Sequence, residues 1–219
     1  MISAFCVENK LESNTLMKVS TTATSRSPSK LYLEVGTSIS VENAVMALIV
    51  KSANDVATVL SEHISGTERE FAKLMTKYAR NLGMHNTTFK NASGLHHSAQ
   101  LTTARDMAIL SHAMISNFPK KYLLFKKEKF VWKGKTFKTH NKLMQSYEGA
   151  DGIKTGYIQK SGFQLAFSAV RQNKRLIGIY FGGNTGKQRD ERLRSYMNTA
   201  FSELKITLDK KSGTKKTSK

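Results

Sequence analysis

Apolar residues recur at helical spacing through the first half of the chain and at strand spacing through much of the second. Ile2, Phe5 and Cys6 have the spacing of the last turns of a helix. Residues 25–30 read as a loop around Pro28. Ser40 stands where it can cap a helix starting at Val41, with Ala44, Val45, Leu48 and Ile49 as its apolar face. Ser52-Ala53-Asn54 breaks that face with small, mostly polar residues, and Val56, Val59, Leu60 and Ile64 resume it. Thr67 and Glu70 have capping-box spacing. Phe71, Leu74, Met75, Tyr78 and Leu82 follow as one stripe, and Gly83 suits the left-handed residue that ends a helix. A further helix is expected from Thr102 or Thr103, carrying Met107, Leu110 and Met114 and stopping before Pro119.

From Lys126 the period shortens. Phe130, Trp132, Thr136 and Phe137 flank Gly134 in a lysine-rich stretch that reads as a hairpin. Residues 153–157 are short and strand-like. Residues 163–170 and 176–181 are stronger strands, joined by a polar turn at 171–174. Leu193, Tyr196, Ala200, Phe201 and Leu204 mark a closing helix. Helices first, antiparallel strands second and one helix to close predict an α+β fold with a helical lobe.

The chain has 219 residues, enough for one sizeable core. Its net charge of +19 suits an anionic neighbour such as nucleic acid, anionic lipid or a cell-wall polymer, or simply a solvated surface. Cys6 is the single cysteine, so no intrachain disulfide can form. The apolar run 1–7 lacks a basic leader and ends at Glu8, so it does not read as a signal peptide. No apolar run is long enough to span a membrane. The lysine-rich end, 205–219, is expected to be a basic disordered tail, and its last ten residues, 210–219, include no apolar side chain.

Two short motifs carry candidate chemistry. Acyl transfer by a serine needs a base, an oxyanion site and a grip on the substrate. Lys154-Thr155-Gly156 on an edge strand suits the grip: an ammonium and a hydroxyl for a carboxylate, then a residue with no side chain to obstruct a peptide. The N–H of Tyr157 would face a developing oxyanion. In Ser52-Ala53-Asn54, Ser52 can relay a proton to a leaving amine, and the Asn54 amide can bond both a lysine and a substrate peptide group. Alone, the first motif reads equally as a turn and the second as a helix break. His96-His97 has no third ligand at metal-binding spacing, so loop polarity accounts for it and no metal or cofactor is expected. The basic belt of the hairpin, with its interleaved aromatics, fits either a nucleic-acid surface or a hairpin with one buried aromatic face; the second reading is preferred.

The surrounding sequence narrows this. Pro28-Ser29-Lys30-Leu31 with Val35-Gly36, the segment 48–57 around Ser52, Leu82-Gly83-Met84 with 86–89, Ser93-Gly94-Leu95, 102–108, Asn141-Lys142-Leu143 and Asp151-Gly152-Ile153-Lys154-Thr155-Gly156-Tyr157 occur in order. From Ser29 to Leu204 the chain resembles the D-alanyl-D-alanine carboxypeptidases, the low-molecular-mass penicillin-binding proteins of serine peptidase family S11. The resemblance implies a β-lactamase/DD-peptidase-like antiparallel sheet with flanking helices. It implies hydrolysis of peptidoglycan stem peptides ending in D-Ala-D-Ala through an acyl-enzyme, β-lactams as ligands, and an envelope or periplasmic location. A cytoplasmic one is expected instead if Met1 is the true start.

The departure is the nucleophile. The family opens its central helix with Ser-x-x-Lys, and residues 1–7 look like the later part of that helix. The strings Ser27–Lys30, Ser202–Lys205 and Ser212–Lys215 fall in a loop, at a helix end and in the basic tail. Residues 1–204 are therefore expected to form a partial catalytic domain without its first strands and the start of its central helix. The alternatives are a catalytically inactive remnant that binds cell wall and, more remotely, a basic nucleic-acid-binding protein.

Overall fold

Helix-starting side chains set the boundaries of the first half, as the computed structural model of residues 11–205 shows. The readings made for residues 1–7 and for the basic tail lie outside the described residues, apart from Lys205. Strands β1 (Leu16–Lys18) and β2 (Ser38–Ser40) form a small antiparallel pair, with the short helix α1 (Thr21–Thr24) between them. Ser40 caps α2 (Val41–Met46) as expected, its Oγ accepting the Asn43 N–H at 3.3 Å. The chain then widens into a π-helical turn, Ala47–Lys51, before α3 (Asn54–Ser65). Helix α4 (Glu68–Asn81) starts at the Thr67 cap and ends into Gly83 at φ +85°. Only half of the capping box forms. Thr67 Oγ1 accepts the Glu70 N–H, while the Glu70 carboxylate pairs with Lys73 at 2.7 Å. Helix α5 (Ala104–Asn117) is capped by Thr103, and α6 (Pro119–Tyr122) leads through a 3-10 turn, Leu123–Lys126, into the expected hairpin β3 (Lys129–Trp132) and β4 (Lys135–Lys138).

After the short helix α7 (Lys142–Ser146), three antiparallel strands form the main sheet: β5 (Ala150–Ile158), β6 (Gly162–Arg171) and β7 (Lys174–Gly183), in that order. Strand β5 is nine residues, longer than the five expected, because Ala150 and Gly152 also pair with β6 across a bulge at Asp151, and Ile158 pairs with Gly162 at the other end. Among the described residues both β5 and β7 are edges. Helix α8 (Gly186–Glu203) packs on the sheet through Leu193, Met197 and Phe201, against Leu165, Phe167 and Ala169. The expected stripe is corrected in part. Tyr196 and Leu204 are exposed, and Met197 takes the inward position, because the helix starts earlier and its buried face follows the 193–197–201 row. A second core lies under β1, β2, α2 and α3, with Phe130 of the hairpin sealed into it. The hairpin thus has one buried aromatic face, Phe130 stacking on Trp132 and Phe137.

One ionic group ties the sheet to the helical lobe. Asp151 is buried at the start of β5 and takes both guanidinium nitrogens of Arg175 on β7, at 2.8 and 2.7 Å. Tyr122 Oη donates to the same carboxylate at 3.1 Å. Gly152 lies directly beneath that phenol, where an added Cβ would come within 2.7 Å of Tyr122 Oη. Gly152→Ala is therefore expected to displace Tyr122 and lower stability by about 1–3 kcal/mol. A urea melt of the variant with an unchanged midpoint would contradict this close approach.

Candidate active site

Ser52 and Lys154 are held by different halves of the fold and line the same cavity. Ser52 ends the π-helical turn in a left-handed conformation, φ 61° and ψ 45°. That geometry costs a non-glycine residue about 1–3 kcal/mol and persists only where the surroundings impose it. Here the imposition is visible. The Asn54 N–H donates to Ser29 O at 2.7 Å, Asn54 Nδ2 donates to Ser27 O at 2.9 Å, and Ser29 Oγ donates to Lys51 O at 2.9 Å. One residue on, the Asp55 carboxylate accepts the N–H groups of Leu31 and Leu33 at 3.1 and 3.2 Å. The loop 27–33 is thereby strapped to the start of α3, and Ser52 is fixed at the cavity wall. Asn54 is buried with one Nδ2 hydrogen engaged in that strap, which leaves Oδ1 and the second Nδ2 hydrogen for further partners.

The opposite wall is the edge strand β5. Lys154, Thr155, Gly156 and Tyr157 pair with Ala166, Leu165, Gln164 and Phe163 of β6, and their other edge is open among the described residues. An added Cβ at Gly156 would meet only Gln164, at 3.6 Å, an ordinary contact. The protein's own packing therefore does not demand a glycine there. Tyr157 is exposed, its ring lying 4.5 Å from that of Phe163. Lys154 Nζ donates to Thr155 O at 3.1 Å and forms no salt bridge among the described residues. Burial, and then the nearby guanidinium of Arg189, lower its pKa to about 8.

Two further basic groups join this wall. Arg189, in the first turn of α8, is buried, donates to Gln164 O at 3.3 Å and pairs with Asp190 at 2.7 Å. Sequence reading missed it. The signal was Thr185, a helix cap two residues after the end of a strand, which places the first turn beside the sheet. His140 also lines the cavity. Burial, then the charges of Lys154 and Lys51, push its imidazole below the ordinary range. The cavity is about 1820 Å³, and Met107, Leu110 and Met114 of α5 form an apolar side of it. His97 stays in the loop, its Nδ1 accepting the Ala99 N–H at 3.1 Å. In the Ser27–Lys30 string, Lys30 Nζ is held by Thr24 O at 2.9 Å and lies over the Tyr32 ring, away from Ser52's turn. Ser202 lies near the end of α8, and 212–215 is outside the described residues.

A three-stranded edge carrying Lys-Thr-Gly, faced across a cavity by Ser-x-Asn at a helix start, belongs to the penicillin-binding class of DD-peptidase folds. The sequence profile of the D-alanyl-D-alanine carboxypeptidases, peptidase S11, matches residues 2–185. The chain is 34% identical to the D-alanyl-D-alanine carboxypeptidase DacF of Bacillus subtilis over 204 residues, 90% of this chain and 51% of that protein. It is also 34% identical to DacD of Escherichia coli, over 77% of this chain and 44% of that protein. Among solved structures, the carboxypeptidase DacD of Francisella tularensis superposes with a TM-score of 0.88 at 27% identity, covering 92% of this chain and 61% of that one. Penicillin-binding protein D2 of Listeria monocytogenes, in its ampicillin-bound form, gives 0.80 at 29% identity, over 91% and 84%. The chain belongs to the D-alanyl-D-alanine carboxypeptidase family, and it spans about half the length of the curated relatives it matches. No helix among the described residues is long and apolar enough to cross a membrane.

Proposed function

We propose that this chain forms the substrate-gripping wall and proton-relay corner of a serine D-Ala-D-Ala carboxypeptidase site acting on peptidoglycan stem peptides. The observation that carries this is the edge of β5, open among the described residues, which brings a lysine without a salt bridge among them to an apolar-sided cavity with Ser52 across it. A peptide lying along that edge would place its terminal carboxylate near the Lys154 ammonium and the Thr155 hydroxyl. Gly156 leaves room for its backbone, and the Tyr157 N–H serves the oxyanion. Asn54 Oδ1 holds a donor on the other side, and Ser52 passes a proton to the departing D-alanine amine. The acylated serine and its lysine are not supplied by any described Ser-x-x-Lys string.

The test is a titration of the isotopically labelled chain with a diacetylated L-Lys-D-Ala-D-Ala peptide, followed by amide shifts. Shifts confined to 152–158 and 52–54, and absent with the L-Ala-L-Ala peptide, are expected. Shifts elsewhere only would overturn the assignment. A fluorescent penicillin should leave no covalent label on any serine of 1–219, since among the described residues no lysine is hydrogen-bonded to Ser52 as its base. A denaturation-resistant label mapped to one of them would show that the chain carries its own nucleophile.

Binding should also depend on pH with a definite sign. The carboxylate favours protonated Lys154, whose pKa in the free protein is about 8. Peptide affinity is thus expected to fall as pH rises through about 8, well below the range of an ordinary lysine near 10.4. An affinity flat from pH 7 to pH 9 would separate Lys154 from the carboxylate.

A further inference from the structure

The site above does not use a strongly basic surface of the hairpin. Between Lys120 and Lys142 the chain has nine lysines, and Glu128 is the only carboxylate between Asp106 and Glu148. All nine lysines are exposed, and none enters a salt bridge among the described residues. Glu128 is engaged elsewhere, accepting from Gln145 Nε2 at 3.2 Å. In the hairpin, Lys129 stands directly opposite Lys138. Like charges facing one another across two strands are unfavourable in isolation, so folding alone gives no reason for the pair. Lys133 occupies the turn and Lys126 the 3-10 turn before the hairpin, whereas Lys135 stands opposite Trp132 on the aromatic side.

The aromatic residues decide what such a surface can recognise. Phe130 is buried, and Trp132 and Phe137 stack on it, turned inward on the core that carries the π-helical turn. Trp132 and Phe137 are half-buried and engaged with Phe130, and Lys51 lies over Phe137, which leaves little ring surface for the base stacking on which non-specific single-strand binders rely. The outward face has ammonium groups with Val131 and Thr136 between them, too little apolar surface to enter a bilayer. Lysine ammoniums are flexible point charges that suit repeated phosphates without demanding one geometry. The face also borders the cleft, because the hairpin packs on the turn leading to Ser52 and Lys142 reaches the cavity's lining.

We propose that the lysine face of β3–β4 and the turn preceding it is a docking surface for a linear phosphodiester polyanion, held alongside the peptide-binding cleft. The bound polymer lies across the Lys129–Lys138 pair and relieves its repulsion.

The probe is a poly(glycerol phosphate) oligomer, titrated into the full chain over a range of salt. The comparison is between two variants of equal net charge. One carries Lys126→Gln, Lys129→Gln, Lys133→Gln and Lys138→Gln. The other carries Lys18→Gln, Lys77→Gln, Lys90→Gln and Lys174→Gln, all exposed and outside the face. The hairpin variant is expected to lose about tenfold or more in affinity. Its slope of log K against log salt should shrink by about 2–3, since each neutralised phosphate of a single flexible strand contributes about 0.7. The distant variant should keep both. If the hairpin variant melts early, the Lys129→Gln, Lys138→Gln pair alone carries the test with about half that change in slope. Equal losses in both variants would mean that only net charge matters and would overturn the proposal. So would absence of binding in moderate salt, tighter binding of a single-stranded oligonucleotide of equal charge, or binding only to phosphatidylglycerol vesicles.

Discussion

Lys154→Ala is expected to lower D-Ala-D-Ala hydrolysis about 10²–10³-fold in an acylation-competent protein containing this segment, the usual loss of about 2.7–4 kcal/mol when one preorganised donor is removed beside developing charge. Lys154 is half-buried on an edge strand, has no carboxylate partner, and has a pKa already lowered by its surroundings. Its charge is therefore little compensated by the protein and is available to an anion. The isolated chain should show the same residue in binding, as lost affinity for the D-Ala-D-Ala peptide. His97→Ala is the matched control, since His97 belongs to a surface loop and its ring accepts the Ala99 N–H. Equal rates for the two variants would remove Lys154 from the site.

The second large effect concerns the scaffold. Arg175→Met is expected to cost about 3–5 kcal/mol, because it leaves the buried Asp151 carboxylate with one phenol for company. Against a typical domain stability of about 5–15 kcal/mol this is a large fraction. Asp151 lies three residues before Lys154 on the same strand, so peptide binding should weaken along with the melt. Double replacement, Asp151→Leu with Arg175→Met, should recover much of the stability because no charge is then stranded. A single variant as stable as the parent, by denaturant melt, would show that the carboxylate finds water instead.

The order of helices and strands was legible because each boundary has a local cause. Ser40, Thr67 and Thr103 cap helices with their own hydroxyls, and the hairpin turns at Lys133-Gly134 with positive φ at both residues. The two motifs were legible too, because the family keeps them in sequence. What escaped was whatever depends on distant partners. The bulge at the start of β5 reflects its pairing with Ser168 and Ala169. The left-handed Ser52 reflects a strap from a loop some twenty residues upstream. Arg189 joins Lys154 only because α8 begins beside the sheet, and charge–charge proximity of that kind has no sequence period.

The far edge of the sheet has a practical consequence for handling the molecule. Along β7, Leu176-Ile177-Gly178-Ile179-Tyr180-Phe181 contains no charge and no proline, and among the described residues no strand pairs with its outer side. Natural sheets protect such edges with lysines, prolines or bulges; the irregularity of β7 lies only at its end, between Tyr180 and Gly183, and the apolar edge before it can template the addition of another strand. Its charged residues, Lys174 and Arg175, stand together at one end. The isolated chain should therefore be a colloid kept apart by its high net charge. Salt that screens +19 should turn it from clear solution to light-scattering aggregate, through strand addition at this edge.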